Sequence, residues 1–112
     1  MKIDIVIPAH NEEAFIGETL ESLVSQTLLP QHIVVVDDNS SDRTASIVRE
    51  YTERFPFVNL VTSSSNSSHL PGSKVINAFQ KGYDSLDGDH EVICKFDADL
   101  IFPKDYLETI AA

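Results

Sequence analysis

The chain has 112 residues, of which 42% are hydrophobic and 23% charged, and its 18 acidic residues against 8 Lys and Arg give a formal net charge of −10. This length and this apolar content predict one globular domain of modest size, or one half of a larger one, and argue against intrinsic disorder. The acidic balance argues against nucleic acid or an anionic membrane as a partner, because either would require a basic face on the protein.

Local sequence features also bear on location and redox chemistry. No apolar stretch approaches the roughly 20 residues of a membrane-spanning helix, and the start of the sequence lacks the apolar segment of a secretory signal. We therefore expect no membrane span in this chain and a cytoplasmic location, at the membrane surface if the full-length protein binds there. The single cysteine, Cys94, lies in an apolar run and is predicted to be a small buried hydrophobic residue.

Four β-rich runs alternate with amphipathic stretches, which is the pattern of βα units that feed a parallel sheet. The predicted strands are Ile3–Ile7, Ile33–Val36, Phe57–Val61 and Glu91–Phe96. The second run is apolar throughout, as expected for a strand that is covered on both faces. The sequence thus predicts an α/β fold, a Rossmann-like and mostly parallel sheet with helices on both faces.

Apolar residues at helical spacing predict a helix after each of the first three strands. The stripes are Ile16, Leu20, Leu23 and Val24; then Thr44, Val48, Tyr51 and Phe55; then Val75, Ile76, Phe79, Tyr83 and Leu86. Asn11 is predicted to cap the first helix, Pro56 to end the second, and Pro103 to lie near the start of a fourth. The serine-rich segment 62–72 is predicted to be a long, mobile loop.

Acidic residues follow three of the predicted strands. They are Glu12, Glu13, Asp37, Asp38, Asp42, Asp97 and Asp99. In an open parallel sheet the ligand crevice lies beyond the carboxyl ends of the strands, so these clusters are expected to meet there. That meeting requires the first strand to lie between the second and the fourth, with the third outside the second. For residues 39–42, capping of a turn or helix is the other interpretation.

Asp97 and Asp99 stand one residue apart directly after an apolar run. Two carboxylates this close repel each other, and they need a cation or hydrogen-bond donors to remain ionised together. Oxygen-only ligands favour a hard divalent cation, Mg²⁺ or Mn²⁺, which also accepts water and phosphate oxygens. We therefore predict a divalent metal site at Asp97 and Asp99.

Four segments, taken in order, resemble the nucleotide-sugar-binding half of a family 2 glycosyltransferase of the GT-A type. They are residues 5–13 (IVIPAHNEE), 17–27 (GETLESLVSQT), 34–44 (VVVDDNSSDRT) and 96–99 (FDAD). The resemblance covers essentially the whole chain, so residues 1–112 are expected to form that part of a glycosyltransferase domain, truncated at its C-terminus. It implies inverting transfer of a sugar from a nucleotide diphosphate donor, with a UDP-sugar favoured, to a hydroxyl of a glycan, lipid or other acceptor.

The resemblance also implies which residues bind the base of the nucleotide. Pro8 and Ala9 would line the base pocket together with Glu12. Asp38, the second aspartate after the second strand, would read the N–H edge of the base. Its neighbour Asp37 is expected to be structural, since adjacent side chains on an extended chain point in opposite directions.

For the diphosphate, the resemblance implies a metal-assisted site. Asp97 would lie near the ribose and the metal, and Asp99 would hold the Mg²⁺ or Mn²⁺ that bridges the two phosphates. Lys74 follows Pro71 and Gly72 and is the candidate basic residue at the crevice, with a solvated surface lysine as the alternative.

The four histidines are assigned no catalytic role. His10 stands where the family often has a tyrosine and is predicted to be a wall residue of the base pocket. His32, His69 and His90 have no acidic or cysteine partner at ligand spacing, and each is predicted to be an exposed loop residue.

No catalytic base can be named, because the family takes it from a following segment. A non-catalytic nucleotide-sugar-binding module is therefore an alternative function. A receiver domain of phosphorelay signalling is a remote alternative, because its acidic pair would follow the first strand, where this chain has Pro8 and Ala9.

Overall fold

A computed structural model of the chain describes residues 2–63 and 73–111, with the backbone alone at 73–78. The strands are β1 (Ile3–Ala9), β2 (His32–Asp38), β3 (Val58–Ser63) and β4 (Val92–Lys95). The helices are α1 (Ile16–Val24), α2 (Thr44–Arg54), α3 (Ser73–Asp84) and α4 (Tyr106–Ala111). The alternation predicted from the sequence is confirmed. The predicted mobile loop, apart from Thr62 and Ser63 at the end of β3, lies outside the described residues.

The four strands form one parallel sheet in the order β3-β2-β1-β4. β1 pairs with β2 from Asp4 opposite His32 to Ala9 opposite Asp37. On its other side β1 pairs with β4, with Val6 opposite Lys95. The strand order is the predicted one, and the carboxyl ends of β1, β2 and β4 are therefore neighbours at one edge of the sheet.

Helices cover both faces of the sheet, as predicted. On one face the side chains of Ile5, Ile7 and Val35 pack with α1, α2 and α4 in the larger core cluster. On the other face Val6 and Val36 pack with α3 and the residues that follow it. Cys94 is half-buried against the larger cluster, and this burial raises the pKa of its thiol. Within the described ranges, every helix is too short or too polar to cross a membrane.

The amino end of the sheet holds an arrangement that the sequence did not predict. The carboxylate of Asp4 is fully buried, and its two oxygens lie 2.9 Å from Nδ1 of His32 and 3.1 Å from Nδ1 of His90. The prediction that these histidines are exposed and lack an acidic partner is therefore wrong. The register of β1 and β2 places His32 directly opposite Asp4, and His90 lies just before β4, the other neighbour of β1. His32 and His90 are 28 and 86 residues from Asp4 in the sequence, so only the pairing of the strands brings them to its carboxylate. His69 lies outside the described residues.

α3 approaches the sheet most closely at Gly82. A Cβ atom at this position would lie 2.6 Å from Cγ1 of Val6 and 2.7 Å from Cγ2 of Val36, closer than carbon atoms pack. The hydrogen of glycine is what lets the helix lie against these two strands. Gly17 in α1 differs, since a Cβ there would meet only Cγ2 of Ile47 at an ordinary 3.6 Å.

We predict that Gly82→Ala lowers the free energy of unfolding by about 1–3 kcal/mol, because α3 must move off the sheet to admit the methyl group. Gly17→Ala is the matched control and should raise the free energy of unfolding by about 0.5–1 kcal/mol, because alanine restricts the unfolded chain and favours the helix. Urea denaturation of the two variants measures both values. Equal effects of the two substitutions would contradict the close approach at Gly82.

Candidate active site

A crevice with a volume of about 260 Å³ opens at the carboxyl ends of β1, β2 and β4. Its lining residues are Pro8, Ala9, His10, Glu12, Asp38, Lys95, Asp97, Ala98 and Asp99. Thus the structure brings together all the predicted site residues except Lys74, whose side chain lies outside the described residues. Three chain segments, far apart in sequence, supply the walls.

Backbone and side-chain hydrogen bonds tie the loop after β1 to the loop after β2. The N–H of Asn11 donates to Oγ of Ser40 at 2.9 Å, and the N–H of Ser41 donates to Oδ1 of Asn11 at 2.8 Å. The prediction that Asn11 caps α1 is wrong, because α1 begins at Ile16 after Phe15, which makes no side-chain capping bond. Asn11 has a φ of 52°, in the left-handed region that asparagine tolerates. Its side-chain oxygen accepts a hydrogen bond from the loop after β2 and not from the first turn of α1.

The start of α2 forms the second tie between these loops. The N–H of Glu12 donates to Oγ1 of Thr44 at 2.8 Å, and the N–H of Glu13 donates to the carboxylate of Asp42 at 3.2 Å. Asp42 also accepts from the N–H and the hydroxyl of Thr44. Burial alone would raise the pKa of Asp42, but these hydrogen bonds outweigh it and hold the pKa below its usual value. The predicted turn chemistry of residues 39–42 is therefore present at Asp42, whose carboxylate accepts from the N–H of the first residue of α2, while the hydroxyl of Thr44 holds the backbone of Glu12.

Asp37 and Asp38 have different surroundings, although both are buried. The N–H of Ser40 donates to Oδ1 of Asp37 at 3.3 Å, so this carboxylate holds the turn after β2, in agreement with its predicted structural role. Asp38 lines the crevice, and Nδ1 of His10 lies 2.7 Å from its backbone oxygen. Because a carbonyl oxygen can only accept, Nδ1 of His10 carries the proton. The backbone of Asp38 thus holds the His10 ring at the wall of the crevice.

Asp97 and Asp99 flank the buried Ala98 and expose their carboxylates at the crevice. The two side chains are an oxygen-only donor set, which suits Mg²⁺ or Mn²⁺. In the described part of the chain, no three His, Cys, Asp or Glu side chains gather closely enough to hold a metal by themselves. Asp97 and Asp99 would therefore supply only two side chains to such a cation, and oxygen atoms of water or of a bound molecule would have to complete its shell.

Lys95 also lines the crevice, which corrects the prediction that Lys74 alone is a candidate cation there. Its Nζ lies 3.9 Å from Oδ1 of Asp97, and the two side chains are 41% and 71% exposed, so solvent screens the pair. Alternation along the extended chain places Lys95 and Asp97 on the same side and could have identified this lysine from the sequence.

The pKa of Glu12 is raised by its surroundings. Burial raises the pKa of its carboxyl group, and the nearby carboxylates of Asp99, Asp42 and Asp97 raise it further, with a smaller opposing effect from His10. A carboxyl group so placed binds a proton more readily than an isolated one.

Solved structures share this fold. S. aureus TarS 1–349, solved in complex with UDP, is similar with a TM-score of 0.80 and 29% identity, over 99% of this chain and 31% of that one. The mannosyltransferase PcManGT from Pyrobaculum calidifontis, in complex with GDP-Man and Mn²⁺, has a TM-score of 0.73 and 26% identity, over 91% of this chain and 28% of that one. The fold is the GT-A fold of glycosyltransferases.

The chain belongs to glycosyl transferase family 2, whose sequence profile matches residues 4–112. Among curated relatives, the probable glycosyltransferase YdaM of Bacillus subtilis (strain 168) is 40% identical over 101 residues. That alignment covers 88% of this chain and 23% of YdaM. The chain thus spans about a quarter of the length of this relative.

We predict that Thr44→Val lowers the free energy of unfolding by about 1–3 kcal/mol, because it keeps the shape of a fully buried side chain but removes the acceptor of the Glu12 N–H. Thr52→Val, at a half-buried position of the same helix where the hydroxyl donates only to the exposed backbone oxygen of Arg49, is the control and should change the value by less than about 0.5 kcal/mol. Urea denaturation gives both values. A loss in Thr44→Val no larger than in Thr52→Val would exclude a stabilising tie between the loops.

The surroundings of Glu12 give a second prediction. Asp99→Asn removes the strongest of the neighbouring charges, so the pKa of Glu12 should fall toward its ordinary value. Asp84→Asn, on α3 and outside the crevice lining, should leave it unchanged. Titration of the Glu12 carboxyl carbon by NMR measures the shift. The same pKa in wild type and Asp99→Asn would place Glu12 away from Asp99.

Proposed function

We propose that this chain supplies the donor-binding part of an inverting glycosyltransferase, which transfers a sugar from a nucleotide diphosphate to an acceptor hydroxyl. The observation that carries the proposal is the crevice itself, where Pro8 of β1, Glu12 of the loop after β1, Asp38 of β2, and the Asp97 and Asp99 pair after β4 meet. Family membership supports the reaction class. The acceptor is a glycan, a lipid or another molecule with a free hydroxyl.

In this proposal the nucleoside occupies the side of the crevice nearest β1 and β2. Asp38 accepts from an N–H of the base, and the backbone of Pro8 and Ala9 forms the adjoining wall. The hydrogen bond from His10 to the backbone of Asp38 keeps that wall in place. UDP in the TarS complex, and UDP-GlcNAc in a second TarS structure, support a uridine donor. GDP-Man in PcManGT makes guanosine the alternative.

The diphosphate lies at Asp97 and Asp99, which would hold Mg²⁺ or Mn²⁺. Mn²⁺ in the PcManGT complex supports this assignment, as does the oxygen-only donor set. When bound, the cation supplies Lewis-acid stabilisation of the charge that develops on the departing nucleoside diphosphate. Lys95 contributes a further positive charge at the same side of the crevice. Lys74 remains a proposed phosphate ligand.

Deprotonation of the acceptor requires a base, and we assign none among the residues that line the crevice. We place this step in a part of a longer polypeptide, since the relatives are about three to four times as long as the matched region. A nucleotide-sugar-binding module without turnover is the alternative. Sugar transfer by a longer polypeptide carrying this chain would favour the enzyme, and binding without transfer would favour the module.

We expect UDP binding to require Mn²⁺ and to depend on Asp99. Asp99→Asn keeps the shape of the side chain but removes a charged ligand, so affinity should fall about thirtyfold, or about 2 kcal/mol. Asp97→Asn should weaken binding less, and Asp38→Asn should weaken it while leaving the Mn²⁺ requirement intact. Calorimetric titration with UDP, in Mn²⁺ and in chelator, provides the measurement.

Asp84→Asn controls for the change in net charge, since it removes one negative charge from the helix α3 and should leave UDP affinity unchanged. Equal affinity of wild type and Asp99→Asn, with and without Mn²⁺, would show that the two carboxylates are not a metal site. The proposal would then lose its main chemical support.

A further inference from the structure

Helix α1 holds the segment that carries Asp97 and Asp99 through a buried hydrogen bond. Oγ1 of Thr19 donates to the backbone oxygen of Ala98 at 2.9 Å, across 79 residues of sequence. Thr19 is 0% exposed and Ala98 3% exposed, so water does not compete for this bond. The oxygen lies three residues past the end of β4, where the hydrogen-bond ladder of the sheet has stopped.

Two further side chains, Ser22 in α1 and Gln26 two residues after its end, hold the same segment farther along. Oγ of Ser22 accepts from the N–H of Phe102 at 3.1 Å. The amide of the buried Gln26 donates to the backbone oxygen of Pro103, and its Oε1 accepts from the N–H of Leu107 at 3.0 Å. Ser22 and Gln26 therefore attach α1 and the residues just after it to the chain beyond the acidic pair, and Thr19 attaches α1 within the pair.

The position of the Thr19 bond matters because the peptide unit is planar. The carbonyl of Ala98 lies in one plane with the N–H of Asp99 and with both Cα atoms. A donor that fixes the direction of this carbonyl therefore fixes the plane from which the Asp99 side chain leaves the backbone. Without it, rotation of that peptide would move the Asp99 carboxylate relative to Asp97.

We propose that Thr19 is a positioning residue for the acidic pair: its hydroxyl holds the Ala98 to Asp99 peptide so that both carboxylates face one cation. This inference rests on the proposed function, because it takes Asp97 and Asp99 as the metal ligands. Thr19 lies outside the crevice lining and acts through Ala98. A purely structural role would lower stability and leave the metal requirement of nucleotide binding unchanged.

The test is calorimetric titration of UDP into this chain at a series of Mn²⁺ concentrations, with urea denaturation of each variant. Thr19→Val keeps the shape but removes the donor, and it should raise the Mn²⁺ concentration for half-maximal UDP binding about tenfold, the value of one lost hydrogen bond. Thr19→Ser restores the hydroxyl and should stay within about threefold of wild type. Val48→Ala, in α2 and the same core, should lower stability and leave the Mn²⁺ requirement unchanged.

If Thr19→Val does not fold, Thr19→Ser and Thr19→Cys decide the question, since they differ by one atom and a thiol is a weak donor. The cysteine variant, kept reduced, should need about ten times more Mn²⁺ than the serine variant. Equal Mn²⁺ requirements for the hydroxyl and non-hydroxyl variants, with Asp99→Asn still impaired, would overturn this inference and leave the proposed function intact. Failure of the wild type to bind UDP with Mn²⁺ would overturn both.

Discussion

Parallel pairing of β1 with β2 on one side and with β4 on the other is the constraint on which the candidate site depends. Because all three strands run in the same direction, their carboxyl ends reach the same edge of the sheet, and the loops that follow them become neighbours. Pro8, Asp38 and Asp99 lie far apart along the sequence, yet they line one crevice for this reason. The buried apolar faces on both sides of the sheet hold this pairing in place.

Negative charge dominates the chemistry of the crevice. Four carboxylates line it, from Glu12, Asp38, Asp97 and Asp99. Burial, and then the nearby carboxylates of Asp99, Asp42 and Asp97, raise the pKa of Glu12. Lys95 offsets a part of this charge from an exposed position. A diphosphate would add further negative charge, which is the physical reason for the cation in the proposed donor site. The acidic composition of the chain and the proposed metal dependence thus have a common physical basis.

Periodicity and composition determined the architecture and most of the candidate site. The apolar runs around Ile5 and Val35 are long enough to be buried strands, and the intervening stripes have the helical repeat, so the βα alternation could be predicted locally. Once a parallel sheet is expected, residues directly after the strands can be assigned to one edge, which gave Asp38, Asp97 and Asp99. Family motifs then supplied the proposed roles, as local patterns alone could not.

Tertiary structure decided which polar groups meet. The amide of Asn11 serves the loop after β2, Asp4 contacts His32 and His90, and the hydroxyl of Thr19 reaches Ala98. Each of these contacts joins residues that lie far apart in the sequence, and it depends on strand register, loop conformation or the seating of a helix on the sheet. A periodic pattern specifies which face of an element is apolar, but it does not specify the partner of a single polar side chain, because that partner is set only when the elements pack together.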